Sequence, residues 1–96
     1  MADIFHIEIA DSAKKDLRKI PKNIVGKLLT WVGLVTEFGV TEARKIKSYH
    51  DEPLKGKRSH QRSIRLNSSY RAIYEIKDDE IKIQYIEIQE VNKHEY

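Results

Sequence analysis

The apolar positions divide the chain into a helical first half and a strand-rich second half. Apolar and polar residues alternate weakly over residues 4–9, which predicts a first strand. A stripe at helical spacing then runs from residue 24 to residue 38 and predicts a long amphipathic helix. Gly39 follows in the position that favours a helix C-terminus. The stripe consists of Ile24, Leu28, Trp31, Val35 and Phe38.

Two shorter helices are expected on either side of the long one. Asp11 or Ser12 can cap the first of them, and Pro21 ends it. Thr41 can cap the second, a short helical turn that runs through Ile46. The apolar residues of the first short helix are Ala13, Leu17 and Ile20.

Three strands are predicted in the second half, near residues 61–66, 70–77 and 80–91. A loop over residues 50–60 precedes them, and the acidic pair Asp78-Asp79 separates the last two. This order of elements predicts an α+β fold, with an antiparallel meander packed against one or two helices. The 96 residues are the length of a single domain, 1–96.

The first predicted hairpin has a register that sorts its side chains by chemistry. A three-residue loop over 67–69 pairs Leu66 with Tyr70 and Arg65 with Arg71. A two-residue loop would mix apolar and cationic residues on each face, so we prefer the longer one. One face then carries Ile64, Leu66, Tyr70, Ala72, Tyr74 and Ile76, and the other carries Ser63, Arg65 and Arg71.

Positive charge is concentrated in one stretch of the chain. Residues 44–71 hold nine Lys and Arg against two acids, whereas residues 1–43 are neutral, residues 72–96 are net acidic, and the whole chain is +3. Such a concentration is typical of a nucleic-acid-binding surface. The alternative is a solvated loop with incidental lysines.

Two arginines facing each other on a sheet repel, and a bridging anion relieves that repulsion. RNA phosphate suits the site, because guanidinium binds phosphate through two parallel hydrogen bonds. The alternative is that acidic side chains of this chain or of a partner protein neutralise the pair. The cations that would extend this patch are Lys55, Lys57, Arg58 and Arg62.

The last residues offer groups for proton transfer beside the end of a strand. His94 can act as an acid or base near neutral pH, Tyr96 can orient or donate a proton, and Lys93 adds charge. The alternative is an exposed histidine without a role. We expect no metal and no cofactor, because the sequence shows neither metal-ligand spacing nor a phosphate-binding glycine loop.

The chain contains no cysteine, so disulfides and thiolate metal sites are excluded. No apolar run approaches the length of a membrane span, and the N-terminus lacks a signal-peptide pattern. We therefore expect a cytoplasmic protein without a membrane partner.

Several segments together resemble toxins of the RelE/ParE superfamily from bacterial type II toxin–antitoxin systems, in the RelE- and HigB-like branch. Tyr70-Arg71, an apolar pair and Tyr74 form the most specific piece. The other segments are Asp11-Ser12-Ala13, Leu54-Lys55-Gly56, Ser63-Ile64-Arg65-Leu66 and Asn92-Lys93-His94-Glu95-Tyr96.

The resemblance implies a RelE-like fold, in which an antiparallel β-sheet packs against two N-terminal helices. It also implies a metal-independent endoribonuclease that cuts mRNA in the ribosomal A site. It implies a phosphate-binding role for Arg71, a basic partner role for Arg65, and roles in catalysis for His94 and Tyr96. It also implies a cognate antitoxin protein as partner, and contacts with mRNA and rRNA on the ribosome. The RNA-binding residues would be Lys55, Lys57, Arg58, Arg62 and Lys93.

Two other functions fit the same scaffold. A ParE-like toxin would inhibit DNA gyrase by binding, without catalysis and without need of the cluster of Arg65, Arg71, His94 and Tyr96. A basic nucleic-acid-binding module would have no toxin activity. The cluster favours the nuclease, because RNA cleavage beside a 2′-hydroxyl needs cations for the phosphorane, a base and an acid.

Overall fold

A five-stranded sheet with helices on one face makes up the protein in the computed structural model, which describes residues 3–78 and 84–93. The strands are β1 (Ile7–Ile9), β2 (Glu52–Pro53), β3 (Gln61–Arg65), β4 (Tyr70–Asp78) and β5 (Gln84–Lys93). The helices are α1 (Asp11–Leu17), α2 (Lys22–Phe38) and α3 (Val40–Arg44), and two short 3₁₀ turns lie at Lys47–Tyr49 and Gly56–Arg58.

The strand order is β1-β5-β4-β3-β2. The predicted antiparallel meander is formed by β3, β4 and β5, and the α+β class is confirmed. β1 joins this meander by pairing in parallel with β5. β2 was not predicted and lies within the expected loop. It is only two residues long and contains Pro53, which an edge strand tolerates because it needs fewer backbone donors.

Helix α1 starts differently from the prediction, which named Asp11 or Ser12 as its cap. The N-cap is Ala10, and within residues 3–78 and 84–93 no side-chain hydrogen bond caps the helix. The Ala10 amide donates to the Ile88 carbonyl over 2.9 Å, and its own carbonyl accepts from the Lys14 amide, also over 2.9 Å. The capping prediction was wrong because the sheet already fixes the point at which β1 turns into the helix.

Helix α3 is capped from a distant part of the chain. Its N-cap is Gly39, so Thr41 lies inside the helix instead of capping it. The Asp3 Oδ1 atom accepts hydrogen bonds from the Thr41 amide (3.2 Å) and hydroxyl (3.1 Å). Desolvation opposes the charged carboxylate, but hydrogen bonds from Ile4 and Thr41 outweigh it and hold the pKa of Asp3 below its ordinary value.

The predicted hairpin register is confirmed. Arg65 and Arg71 are cross-strand partners, and the Leu66 amide donates to the Tyr70 carbonyl over 2.9 Å. The Asn67 side-chain oxygen closes the loop by accepting from the amides of Ser69 (2.7 Å) and Tyr70 (2.8 Å). This local bond is the reason that Asn is well suited to the first loop position.

The core lies between the sheet and the helices, and it fixes the direction of each strand residue. Trp31 of α2 packs on Tyr74 of β4 with ring centroids 5.0 Å apart, and both side chains are fully buried. Burial of each such side chain stabilises the fold by about 1.5–3 kcal/mol. Because neighbouring strand residues alternate, the burial of Tyr74 turns Arg71 and Ile73 to the opposite face.

That opposite face is not uniformly polar. Ile73 is fully buried there, and Ser63, its cross-strand partner, is only 5% exposed. On the helix face, Ile76 is 42% exposed although the register places it with the apolar residues.

Among residues 3–78 and 84–93, no helix has the length and apolar character that crossing a membrane requires.

Candidate active-site cleft

A cleft of about 250 Å³ opens beside the β3–β4 hairpin, at the end of the sheet where the arginine pair lies. The 3₁₀ turn that precedes β2, the β2 strand itself and the hairpin loop contribute its walls. Its lining residues are His50, Glu52, Ser63, Arg65, Asn67, Ser68, Tyr70 and Arg71.

The arginine pair gives the cleft its charge. Directly opposed residues on neighbouring strands have Cβ atoms about 5 Å apart, so the positive charges of Arg65 and Arg71 repel. Within the described ranges, neither guanidinium forms an ion pair with a carboxylate. The Arg71 Nε is buried and finds no acceptor among the described residues. A buried donor without an acceptor is costly, and a bound anion would satisfy it.

His50 and Glu52 bring ionisable groups to the same cleft, and the sequence analysis did not single out either as a site residue. Both are exposed. His50 ends the first 3₁₀ turn with a left-handed backbone (φ 48°, ψ 50°), and Glu52 pairs with Ser63 across β2 and β3. Imidazole and carboxylate groups can both transfer protons near neutral pH. No sequence spacing reveals them, because the pairing depends on a two-residue strand.

Arg62 lies on the helix face of the sheet, away from the cleft. Its Nε donates to Asp51 Oδ1 over 2.7 Å, and the Asp51 side chain is completely buried while that of Arg62 is 26% exposed. Burial lowers the pKa of Arg62, but the hydrogen bond and charge of Asp51 outweigh this effect and raise that pKa above its ordinary value. The structure therefore separates Arg62 from the arginine pair.

Asp51 has a second donor beneath the sheet. The Tyr74 hydroxyl donates to Asp51 Oδ2 over 2.6 Å and accepts from Arg44 Nε over 3.3 Å. Burial, and then the charge of Asp51, raise the pKa of Tyr74 above its ordinary value, so the phenol stays protonated and can donate. Asp51, Arg62, Tyr74 and Arg44 thus form one polar network, which we call the Asp51 network.

The predicted RNA-binding cations of the loop lie around the second 3₁₀ turn, and all are exposed. Arg58 is held by Gln61 (2.7 Å) and by Glu90 (3.2 Å). Lys55 and Lys57 form no ion pair with any residue that the structure describes. The two lysines are therefore the more available of the three cations.

His94 and Tyr96 lie outside the described residues. β5 ends at Lys93, whose backbone pairs with Tyr70, and Asn92 pairs with Arg71. The last strand thus leads the chain to the end of the sheet that carries the arginine pair. The roles of His94 and Tyr96, and that of the Lys93 side chain, stay predictions.

Acidic groups on this face lie farther along the strands. Glu75 of β4 is bonded by His60 (3.2 Å) and by Lys77 (3.0 Å).

Across residues 3–78 and 84–93, no group of three or more His, Asp or Glu side chains is arranged to hold a metal ion.

No family model matches the sequence, and no curated protein sequence matches it. Solved structures do match. The RelBE2 toxin–antitoxin complex from Mycobacterium tuberculosis gives a TM-score of 0.63 at 20% identity, covering 95% of this chain and 99% of that one. YafQ from Escherichia coli gives a TM-score of 0.70 at 18% identity, and the match covers 92% of this chain and 91% of YafQ. The YoeB dimer from Staphylococcus aureus gives a TM-score of 0.66 at 20% identity, and the match covers 99% of this chain and 100% of that one.

These likenesses cover nearly the whole of each chain. Another similar structure is the E. coli DinJ–YafQ toxin–antitoxin complex, at 21% identity and a TM-score of 0.65. The protein therefore shares the fold of these solved structures, which is the RelE-like fold that the resemblance predicted.

Proposed function

We propose that this protein is the toxin of a type II toxin–antitoxin system and that it cleaves mRNA on the ribosome. The observation that carries the proposal is the arginine pair in the cleft, with a buried Arg71 Nε that finds no acceptor among the described residues. Phosphodiester is the anion that suits two adjacent guanidinium groups. The fold supports the proposal, because similar structures are toxins, two of them in complexes with antitoxins.

In this mechanism the ribose 2′-oxygen attacks phosphorus and the bond from phosphorus to the 5′-oxygen breaks. A base takes the 2′-hydroxyl proton, and an acid gives a proton to the leaving 5′-oxygen. Arg65 and Arg71 stabilise the charge of the pentacoordinate phosphorane, and loss of one such donor costs about 3 kcal/mol. The products are a 2′,3′-cyclic phosphate and a 5′-hydroxyl, and the cycle can open to a 3′-phosphate.

Two sets of residues can supply the proton transfers. Within the described cleft they are His50 and Glu52, which stand with the arginine pair around one cavity. The sequence adds His94, with Tyr96 assisting. Lys55 and Lys57, with Arg58 and Lys93, would hold the RNA backbone at longer range. A cognate antitoxin would bind the toxin and block its action.

The test is primer extension on mRNA after toxin is added to a reconstituted translation system. We expect cuts that require ribosomes on the message, and we expect Arg65→Ala/Arg71→Ala to remove them. Arg18→Ala is the matched control, because Arg18 is an exposed arginine at the end of α1. Intact mRNA together with gyrase-linked DNA damage in cells would instead establish the ParE-like function.

A further inference from the structure

We infer that Asp51 is a positioning residue, which holds the His50–Glu52 wall of the cleft in place from beneath the sheet. The inference rests on the proposed function for its effect on cleavage. Among the residues that the structure describes, Asp51 is bonded to Arg62 and Tyr74 and to none of the groups that would react with RNA. It acts through its two neighbours in sequence, which both line the cleft.

Three consecutive residues point to different sides of the sheet. Glu52 pairs with Ser63 and faces the cleft, and His50 precedes it in the left-handed conformation. Asp51 lies between them and points the other way, into complete burial against Arg62 and Tyr74. Because one backbone carries all three, fixing the Asp51 carboxylate also fixes where its neighbours point.

The donors that hold this carboxylate come from two paired strands of the sheet. Arg62 belongs to β3 and Tyr74 to the centre of β4, where its ring packs on Trp31. A second anchor lies just before the wall, where the Tyr49 hydroxyl donates to the Lys27 carbonyl of α2 over 3.0 Å. Partly buried side-chain hydrogen bonds thus hold the wall in place, because β2 has only two residues and contributes little strand pairing.

Loss of the Tyr74 hydroxyl would leave one oxygen of a buried carboxylate without its donor. A buried charged group that loses a partner favours a conformation in which it reaches water. For Asp51, reaching water means turning the backbone of the wall, which displaces His50 and Glu52. Misplacing a reacting group by about 1 Å can slow a reaction by on the order of a hundredfold.

The experiment compares Tyr74→Phe with the wild-type protein. The phenylalanine ring keeps the packing on Trp31 and removes the hydroxyl, which donates to Asp51 over 2.6 Å and accepts the longer bond from Arg44 Nε over 3.3 Å. Amide hydrogen exchange measures whether the wall is held, through the Leu54 amide, which donates to the Gln61 carbonyl over 2.9 Å. We expect that amide to exchange about tenfold faster in Tyr74→Phe. The exchange measurement needs no catalytic activity.

Single-turnover cleavage on programmed ribosomes then measures whether the position of the wall affects the rate of RNA cleavage. We expect the maximal rate constant of Tyr74→Phe to fall by about tenfold. The ribosome concentration that gives half of this rate should stay within about twofold, because the mutation leaves the exposed cations in place. Asp51→Asn should shift both measurements in the same direction, since it leaves the partly buried Arg62 without its countercharge.

Asp3→Ala is the control, because Asp3 also anchors a distant segment through its carboxylate but lies by β1. It should speed exchange of the Val40 amide, which donates to the Ile4 carbonyl over 2.9 Å, and leave cleavage and Leu54 exchange unchanged. Unchanged Leu54 exchange in Tyr74→Phe overturns the inference. So does faster exchange with undiminished cleavage. If the wild-type protein does not cleave mRNA on the ribosome, the proposed function is refuted instead. The exchange of the Leu54 amide then still tests whether Asp51 holds the wall in place.

Discussion

At the scale of single residues, Arg71 carries the chemistry of the cleft. Its Nε is buried and without an acceptor among the described residues, and the residue lines the cleft beside Arg65. We expect Arg71→Ala to lower single-turnover cleavage by about a hundredfold, equivalent to roughly 3 kcal/mol of transition-state stabilisation. Ribosome affinity should change little, because the exposed loop cations supply most of the long-range attraction.

Arg71→Lys is the informative companion, because it keeps the charge but loses the planar fork that binds two phosphate oxygens. It should remain well below the wild type in rate. Both variants should still bind the antitoxin, which shows that they fold. A folded Arg71→Ala protein with full cleavage would remove this residue from the mechanism.

Single residues also show what the sequence could predict of the site. Arg65 and Arg71 were placed together because a hairpin register depends only on local alternation. The same alternation turns Arg62 to the helix face, where its partner Asp51 comes from outside any periodic element. Glu52 was missed for a related reason, since a strand of only two residues leaves no periodic pattern in the sequence.

At the scale of elements, the joint between α2 and α3 depends on Gly39. Its φ of +91° is unfavourable for other residues, and a Cβ there would collide with the Asp3 carboxylate that caps α3. We expect Gly39→Ala to lower the free energy of unfolding by about 1–3 kcal/mol, measured by urea denaturation.

Gly33→Ala provides the matched control for that measurement. Gly33 lies inside α2, and an added Cβ would meet no atom within 4 Å. Alanine favours a helix interior over glycine, so this variant should be neutral or more stable by about 0.5–1 kcal/mol. Equal stabilities for the two variants would mean that the joint is not strained.

Elements differ in how much of them a sequence can predict. The long helix α2 was predicted because its buried stripe repeats over several turns. The ends of α1 and α3 were not, because the sheet fixes one and Asp3, 38 residues from Thr41, fixes the other. Helix interiors are thus set by local pattern, whereas these helix ends are set by tertiary contacts.

At the scale of the whole molecule, exposed cations should control the encounter with RNA. Lys55 and Lys57 form no ion pair with a described residue, whereas Arg58 is already held by Glu90. We expect Lys55→Gln/Lys57→Gln to flatten the dependence of log affinity on log salt by about 1.4, since each contact with single-stranded RNA contributes roughly 0.7.

Arg58→Gln alone should change that slope less, because its charge is partly neutralised by Glu90. Ribosome binding measured over a series of potassium concentrations gives both slopes. An unchanged slope in the double variant would mean that this loop faces away from RNA during binding.

The parallel pairing of β1 with β5 constrains how the protein can be made. β1 emerges from the ribosome early, yet its described sheet neighbour is the last strand. β5 also anchors α1, since the Val91 amide donates to Asp16 Oδ2 over 3.0 Å. Contacts between such distant parts of a chain form slowly, because bringing the ends of a long intervening loop together costs entropy before the contact is gained. The nascent chain therefore cannot complete the pairing of β1 until β5 has left the exit tunnel, so this part of the sheet forms only after the other described strands have emerged.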